Sequence, residues 1–310
     1  MKKFLYYFLS FILIIGLSGC NVKEKPNTSK DNGKMKVVAT TTMIADLARN
    51  IGKDKLEVKQ LMGPGIDPHL YKASAGDVDL MYSANIIIYN GVHLEGKMGD
   101  VLSKMKNSGK GVFSLEEGID SNKLILDKDT NTPDPHIWFD IKLWSESAKY
   151  VSNVLADNDP KNKDFYMSNL NNYLKELENL EKYANSRISE IDPNSRVLIT
   201  AHDAFTYFGK AYGVEVKGLQ GISTASETGT GDVKQIADFI VNRKIKAIFI
   251  ESSVPKKSIE ALQEAVKSRG FEVSIGGELY SDALGNYGTE EGTYIGMYKK
   301  NIDTIVNALK

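Results

Sequence analysis

The sequence predicts an α/β protein: two lobes of mostly parallel β-sheet flanked by helices, joined by one long helix. Three observations carry this. Short apolar runs alternate with segments of helical periodicity, the pattern of β-α units feeding a parallel sheet. The scheme runs through the first half of the chain and again through the second. Between the halves, no glycine or proline interrupts Asn162 to Ile191.

Taken in order, the first half predicts strands over Lys36 to Thr40, Lys55 to Leu61, Asn85 to Asn90 and Gly111 to Ser114. Helices are expected over Met43 to Ile51, Ala75 to Ser83 and Lys97 to Met105. The second half predicts strands over Arg196 to Thr200, Val214 to Gly218, Ala247 to Glu251 and Glu272 to Ile275. Its helices are expected over Ala204 to Ala211, Asp232 to Arg243, Ser258 to Arg269 and Gly292 to Leu309. At the joint, Phe165, Leu170, Tyr173, Leu174, Leu177, Leu180, Ala184, Ile188 and Ile191 keep three- and four-residue spacing. One helix there would span about 45 Å. Pro160 and Asp192-Pro193 are its stops, and two shorter helices with an unmarked break are the alternative. The division is thus a lobe over 35–159, a linking helix over 160–192 and a lobe over 193–310.

The N-terminus carries a separate message. Lys2 and Lys3 precede an apolar run, Phe4 to Leu17, broken only by Ser10 and Gly16, and Leu17-Ser18-Gly19-Cys20 closes it. This is the layout of a signal peptide, and the run is short for a stable membrane span. Leu-Ser-Gly-Cys resembles the bacterial lipobox, which makes Cys20 the lipidation site and the first mature residue; the alternative is a buried thiol in an N-terminal anchor helix. Residues 21–34 are polar, lack apolar periodicity and have the composition of a flexible tether. Cys20 is the single cysteine, so no internal disulfide is available even in an oxidising compartment.

With 39 basic against 40 acidic residues and no Lys/Arg stripe, the chain lacks the footprint of a nucleic-acid partner. Its chemistry concentrates in histidine. Two of the four histidines sit in the same word, Asp67-Pro68-His69 and Asp134-Pro135-His136. Each proline fixes its own φ and restricts the aspartate before it, so both imidazoles leave a stiff turn suited to a preorganised metal site. His202, in Thr200-Ala201-His202-Asp203, follows a strand-like run, where α/β folds present ligand-binding groups. His93 also ends a strand-like run and is read as a lining or surface residue. Glu251 and Asp203 are candidates to hold a ligand's free ring nitrogen. Equally, Ser252 and Ser253 cap a helix and leave Glu251 solvated or salt-bridged. Enzyme motifs are absent: there is no Gly-x-x-x-x-Gly-Lys-Ser/Thr loop, no Gly-x-Ser-x-Gly elbow and no His-Glu-x-x-His helix.

Several segments together resemble the cluster A-I metal-binding receptors, the solute-binding lipoproteins of ABC transporters. They are Val37 to Met43, Gly63 to His69, Asp134 to Asp140, Thr200 to Phe205, Gly218 to Thr224, Ile250 to Pro255 and Gly276 to Asp282. The resemblance covers Met35 to Lys310. It implies two lobes, a long connecting helix and one divalent transition metal between the lobes. By position it implies His69 and His136 as ligands from the first lobe, and His202 and Asp282 from the second. Asp282 rests on this resemblance alone, since a loop aspartate otherwise reads as a turn former. Many manganese-associated members carry a carboxylate at the third position, where this chain has His202.

The expectation is therefore an extracytoplasmic, lipid-anchored monomer that is not an enzyme. It captures zinc or manganese, with iron a further candidate, and delivers it to an ABC permease powered by an ATPase. A secreted metallohydrolase, with one ligand replaced by solvent, is a rival. A surface adhesion protein whose metal is structural is another.

Overall fold

Every strand pairing is parallel among the residues described by the computed structural model, which are 33–128, 130–226 and 229–310. The predicted signal segment, Cys20 and the tether as far as residue 32 lie outside the described residues. No helix among the described residues is long and apolar enough to cross a membrane.

The first half forms a four-stranded sheet from β1 (Met35–Ala39), β2 (Leu56–Gln60), β3 (Ile86–Tyr89) and β4 (Gly111–Ser114), in the order β2-β1-β3-β4. The unbroken apolar run of β3 suits a central strand covered on both faces. Its helices are α1 (Thr42–Gly52), α2 (Ala75–Ser83) and α3 (Gly99–Asn107). Local chemistry starts the first two. The Thr41 hydroxyl accepts from Ile44 N, and Ser74 with Asp77 closes a capping box.

The alternation of strands and helices does not predict α4, Ile141–Asn158, because no strand separates it from the next helix. Its start is nevertheless written locally: Asp140 accepts from the backbone N–H groups of Lys142 and Leu143. The linking helix α5, Lys163–Ile188, is unbroken over 26 residues, and at the standard rise that is about 39 Å. It ends earlier than Ile191, where a tightened turn sends Ile191 N to Ile188 O. Tyr166, Leu170, Tyr173, Leu177, Leu180, Ala184 and Ile188 form its buried stripe.

The second half pairs β5 (Val197–His202) with β6 (Glu215–Gln220), and β7 (Ala247–Glu251) with β8 (Ser274–Leu279), with β5 lying beside β7. Its helices are α6 (Thr206–Tyr212), α7 (Thr230–Arg243), α8 (Lys257–Lys267) and α9 (Tyr294–Leu309). β8 runs beyond the expected Ile275 because its glycines extend the strand rather than break it. A side chain at Gly276 would lie 2.7 Å from the Ala308 methyl, and Gly277 has φ 139°. A register shift at Ile248/Phe249 absorbs the irregularity and lets pairing continue to Leu279.

α5 packs against α1, α4 and α9, so one apolar cluster includes Ile44, Trp144, Leu177, Tyr294 and Ile305 from both halves. Met35–Lys310 accordingly forms one compact unit. Buried aromatics tie the halves with satisfied polar tips. Trp138 Nε1 donates to Ser281 O at 3.0 Å, Tyr294 OH to Trp138 O at 2.7 Å and Tyr298 OH to Phe139 O at 2.8 Å.

Candidate metal centre

The carboxyl ends of the strands meet in one place, as parallel sheets dispose their functional loops. The turn after β2 carries His69, β5 ends on His202, β7 ends on Glu251, and the loop after β8 carries Asp282. His136 arrives from the first half, one residue before the short 3₁₀ turn Ile137–Phe139 that leads into α4.

The repeated Asp-Pro-His word folds the same way twice. Asp67 Oδ1 accepts the backbone N–H of His69 at 2.8 Å, and Asp134 Oδ1 accepts that of His136 at 2.9 Å. In each, the aspartate closes an Asx turn around the proline. Asp134 does more, since the same oxygen lies 2.7 Å from His136 Nδ1. His202 is held in a parallel manner: Glu251 Oε1 accepts its backbone N–H at 2.9 Å, and Glu251 Oε2 lies 2.6 Å from Nδ1. A carboxylate on Nδ1 favours the tautomer whose Nε2 lone pair is free to bind a metal.

His69, His136, His202 and Asp282 are all buried, and one ligand atom of each lies within 4.8 Å of the others. Bonds of about 2.0–2.1 Å in a tetrahedron put ligand atoms about 3.3 Å apart. Here His69 Nε2 to His136 Nε2, His136 Nε2 to His202 Nε2, and His202 Nε2 to Asp282 Oδ2 are each 3.3 Å. Asp282 Oδ1 stands 3.5 Å from His136 Nε2, and Oδ2 stands 3.9 Å from His69 Nε2. Among the described residues neither Asp282 oxygen has a hydrogen-bond donor, although the residue is 1% exposed. A carboxylate buried in this way is costly unless a cation answers it.

The electrostatics follow from burial and these pairings. Burial pulls His69 down to about 3 and keeps it neutral. Burial also opposes charge on His136, but the Asp134 and Asp282 carboxylates outweigh it and raise the ring to about 9. His202 behaves likewise: burial is outweighed by Glu251 and Asp282, and the ring sits well above its usual range. For Asp282, burial would raise the carboxyl, yet the facing imidazoles hold it well below the usual range.

His93 stays outside this group. It is exposed, has φ 62° and lines a cavity of about 350 Å³ whose wall also includes His69. Buried Glu95 holds that loop by accepting Asn90 N and Gly91 N, a brace that nothing in the local sequence announces. Asp203 meets no imidazole directly; it accepts the Thr206 hydroxyl at 2.9 Å. The brace that sequence reasoning missed is Asp134, although the repeated word already contained it.

Comparison with known proteins places this geometry. The family model described as ZnuA, zinc-uptake complex component A, periplasmic, matches residues 37–308. The chain is 47% identical over 294 residues to the manganese-binding lipoprotein MntA of Bacillus subtilis, covering 95% of each. It is 50% identical over 285 residues to the zinc-binding protein TroA of Treponema pallidum, covering 91% of this chain and 92% of that one. The solved structure of the periplasmic zinc-binding TroA from that organism matches with a TM-score of 0.87, covering 89% of this chain and 99% of its own. With its parallel sheets, its long helix and nearly all of Met35–Lys310 matched, this chain belongs to the ZnuA family of zinc-uptake components.

Proposed function

We propose that this protein is an extracytoplasmic solute-binding lipoprotein that captures one divalent transition metal, zinc or manganese, and delivers it to an ABC permease and its ATPase. The observation that carries the reading is Asp282, a buried carboxylate without a hydrogen bond among the described residues, facing three imidazole nitrogens. His69, His136, His202 and Asp282 are the ligands, Glu251 and Asp134 orient two of the rings, and Cys20 carries the lipid. The ligands come from lobes 35–159 and 193–310 on either side of the helix segment 160–192, so metal stabilises the arrangement in which both pairs meet. The protein acts as a monomer.

Carriage fits better than catalysis. Four protein groups close the site, whereas a catalytic zinc keeps a position open for water. MntA and TroA are named for binding manganese and zinc, which supports metal as cargo here. The test is the metal content of a deletion strain. Wild-type protein should restore zinc or manganese uptake, and Asp282→Ala should not. Restoration by Asp282→Ala would overturn the reading. Mass spectrometry of the mature N-terminus tests the anchor, and an unmodified Cys20 in an uncleaved chain would refute it.

A further inference from the structure

The turn that carries His69 is fastened from the other half of the molecule. Asp67 gives Oδ1 to the His69 backbone and Oδ2 to the Thr224 hydroxyl, which donates at 2.6 Å. In the second Asp-Pro-His word, Asp134 spends Oδ1 on both His136 groups, and its Oδ2 has no hydrogen-bond partner among the described residues. The second word meets its surroundings through main-chain oxygens instead, Tyr207 OH donating to Asp134 O at 3.0 Å and Asn90 Nδ2 to Pro135 O at 3.0 Å. Only in the first word does the aspartate side chain reach across to the other half. Thr224 belongs to the segment that follows β6, which is stiffened by its own bonds: Ser226 Oγ to Ser223 O at 2.7 Å, and Gln220 Nε2 to Ser226 O at 3.0 Å. Gly221, Ile222, Ser223 and Ser226 also wall the cavity that touches His69.

His69 differs from the other two imidazoles in what holds it. Among the described residues no carboxylate braces its Nδ1, whereas Asp134 and Glu251 brace His136 and His202. It also stands furthest from Asp282. Its placement therefore depends on its turn, and the turn depends on Asp67. We propose that Thr224 is a positioning residue for metal exchange: acting through Asp67, its hydroxyl holds His69 in the site, and breaking this bond frees His69 first when metal leaves. The permease would then need to disturb only one partly exposed segment to start unloading.

This rests on the reading of the four groups as a metal site, and the experiment separates the two. Purified protein is loaded with zinc, and release to excess chelator is followed by stopped flow. Thr224→Val, which keeps the volume and loses the donor, should speed release about tenfold, the scale of one hydrogen bond to a charged group. Thr224→Ser should restore the wild-type rate, and association rates should change little. Release from Thr224→Val at the wild-type rate, with zinc bound normally, overturns the proposal and leaves the site standing. Thr224→Ser releasing as fast as Thr224→Val also overturns it, because packing rather than the hydroxyl would then matter. A wild-type chain that holds no zinc overturns both.

Discussion

Glu251 grips His202 twice, taking its backbone N–H at Oε1 and standing 2.6 Å from its ring Nδ1 at Oε2. Backbone and ring are thus fixed by one carboxylate at the end of the neighbouring strand. Glu251→Gln keeps the shape and removes the charge. Metal affinity should fall about 10–100-fold, the range for a group that orients a ligand. Titration calorimetry measures it, and an unchanged dissociation constant would separate Glu251 from the site.

Replacing His69, His136, His202 or Asp282 by alanine should cost more than losing a brace, beyond about 100-fold each. His93→Ala should leave affinity nearly unchanged, because His93 is exposed and outside the converging group. If His93→Ala abolished binding while Asp282→Ala did not, the ligand assignment would be wrong.

Buried charge makes binding depend on pH. Asp134, Glu251 and Asp282 supply three buried carboxylates around three imidazoles. Two protons or one divalent ion bring them the same compensating charge. With His136 raised to about 9 and His202 well above its usual range, both rings hold protons at neutral pH until metal displaces them. Affinity should therefore climb as pH rises towards about 9, not level off at histidine's unperturbed value of about 6.5, which is all that the sequence implies. Calorimetry in buffers of different ionisation enthalpy should count nearly two protons released at neutral pH. A count of zero would refute this account.

What the sequence made legible follows the range of each interaction. The Asp-Pro-His words were readable because an Asx turn is closed by neighbours in the chain. His202 was readable because a strand end is marked by composition. Asp282 was not readable from its own residues. Its position depends on the irregularity that lets β8 continue past Gly277, and on the bond from Trp138 to the adjacent Ser281. α4 was missed because strand–helix alternation is a rule about sheets, and α4 packs on another helix, α5.

Asp46 offers a test of stability apart from the site. It is buried in α1, accepts Tyr294 N at 2.9 Å, and burial raises its carboxyl to about 6 from the ordinary aspartate value of 3.8. The folded state binds this proton more tightly than the unfolded chain does. The resulting stabilisation is complete below pH 3.8 and is lost as pH rises through about 6. At neutral pH the ionised group is a burden, and Asp46→Asn keeps the acceptor without the charge. Metal-free Asp46→Asn should be more stable at pH 7 by up to about 3 kcal/mol. Its denaturation midpoint should also vary less with pH between 4 and 6. A variant destabilised at pH 7 would show that the ionised carboxylate is needed.

With the four groups as the proposed ligands, donor chemistry decides which metal should bind more tightly. Three imidazole nitrogens and one carboxylate, all within 4.8 Å of one another, suit a four-coordinate borderline ion such as zinc. Manganese prefers more oxygen and higher coordination, which Asp282 supplies only in part by offering both oxygens. Intrinsic affinity at nitrogen and oxygen sites also favours zinc. Zinc should therefore outcompete manganese for the purified protein. Manganese displacing zinc at comparable concentration would show that the site opens to a larger coordination shell than the present geometry holds. Replacing His202 by a carboxylate should narrow the gap, because exchanging a nitrogen for oxygen weakens the zinc site more than the manganese site. Competition titrations on wild type and His202→Glu measure that shift, and a gap that widened would rule out donor chemistry at His202 as the basis of selection.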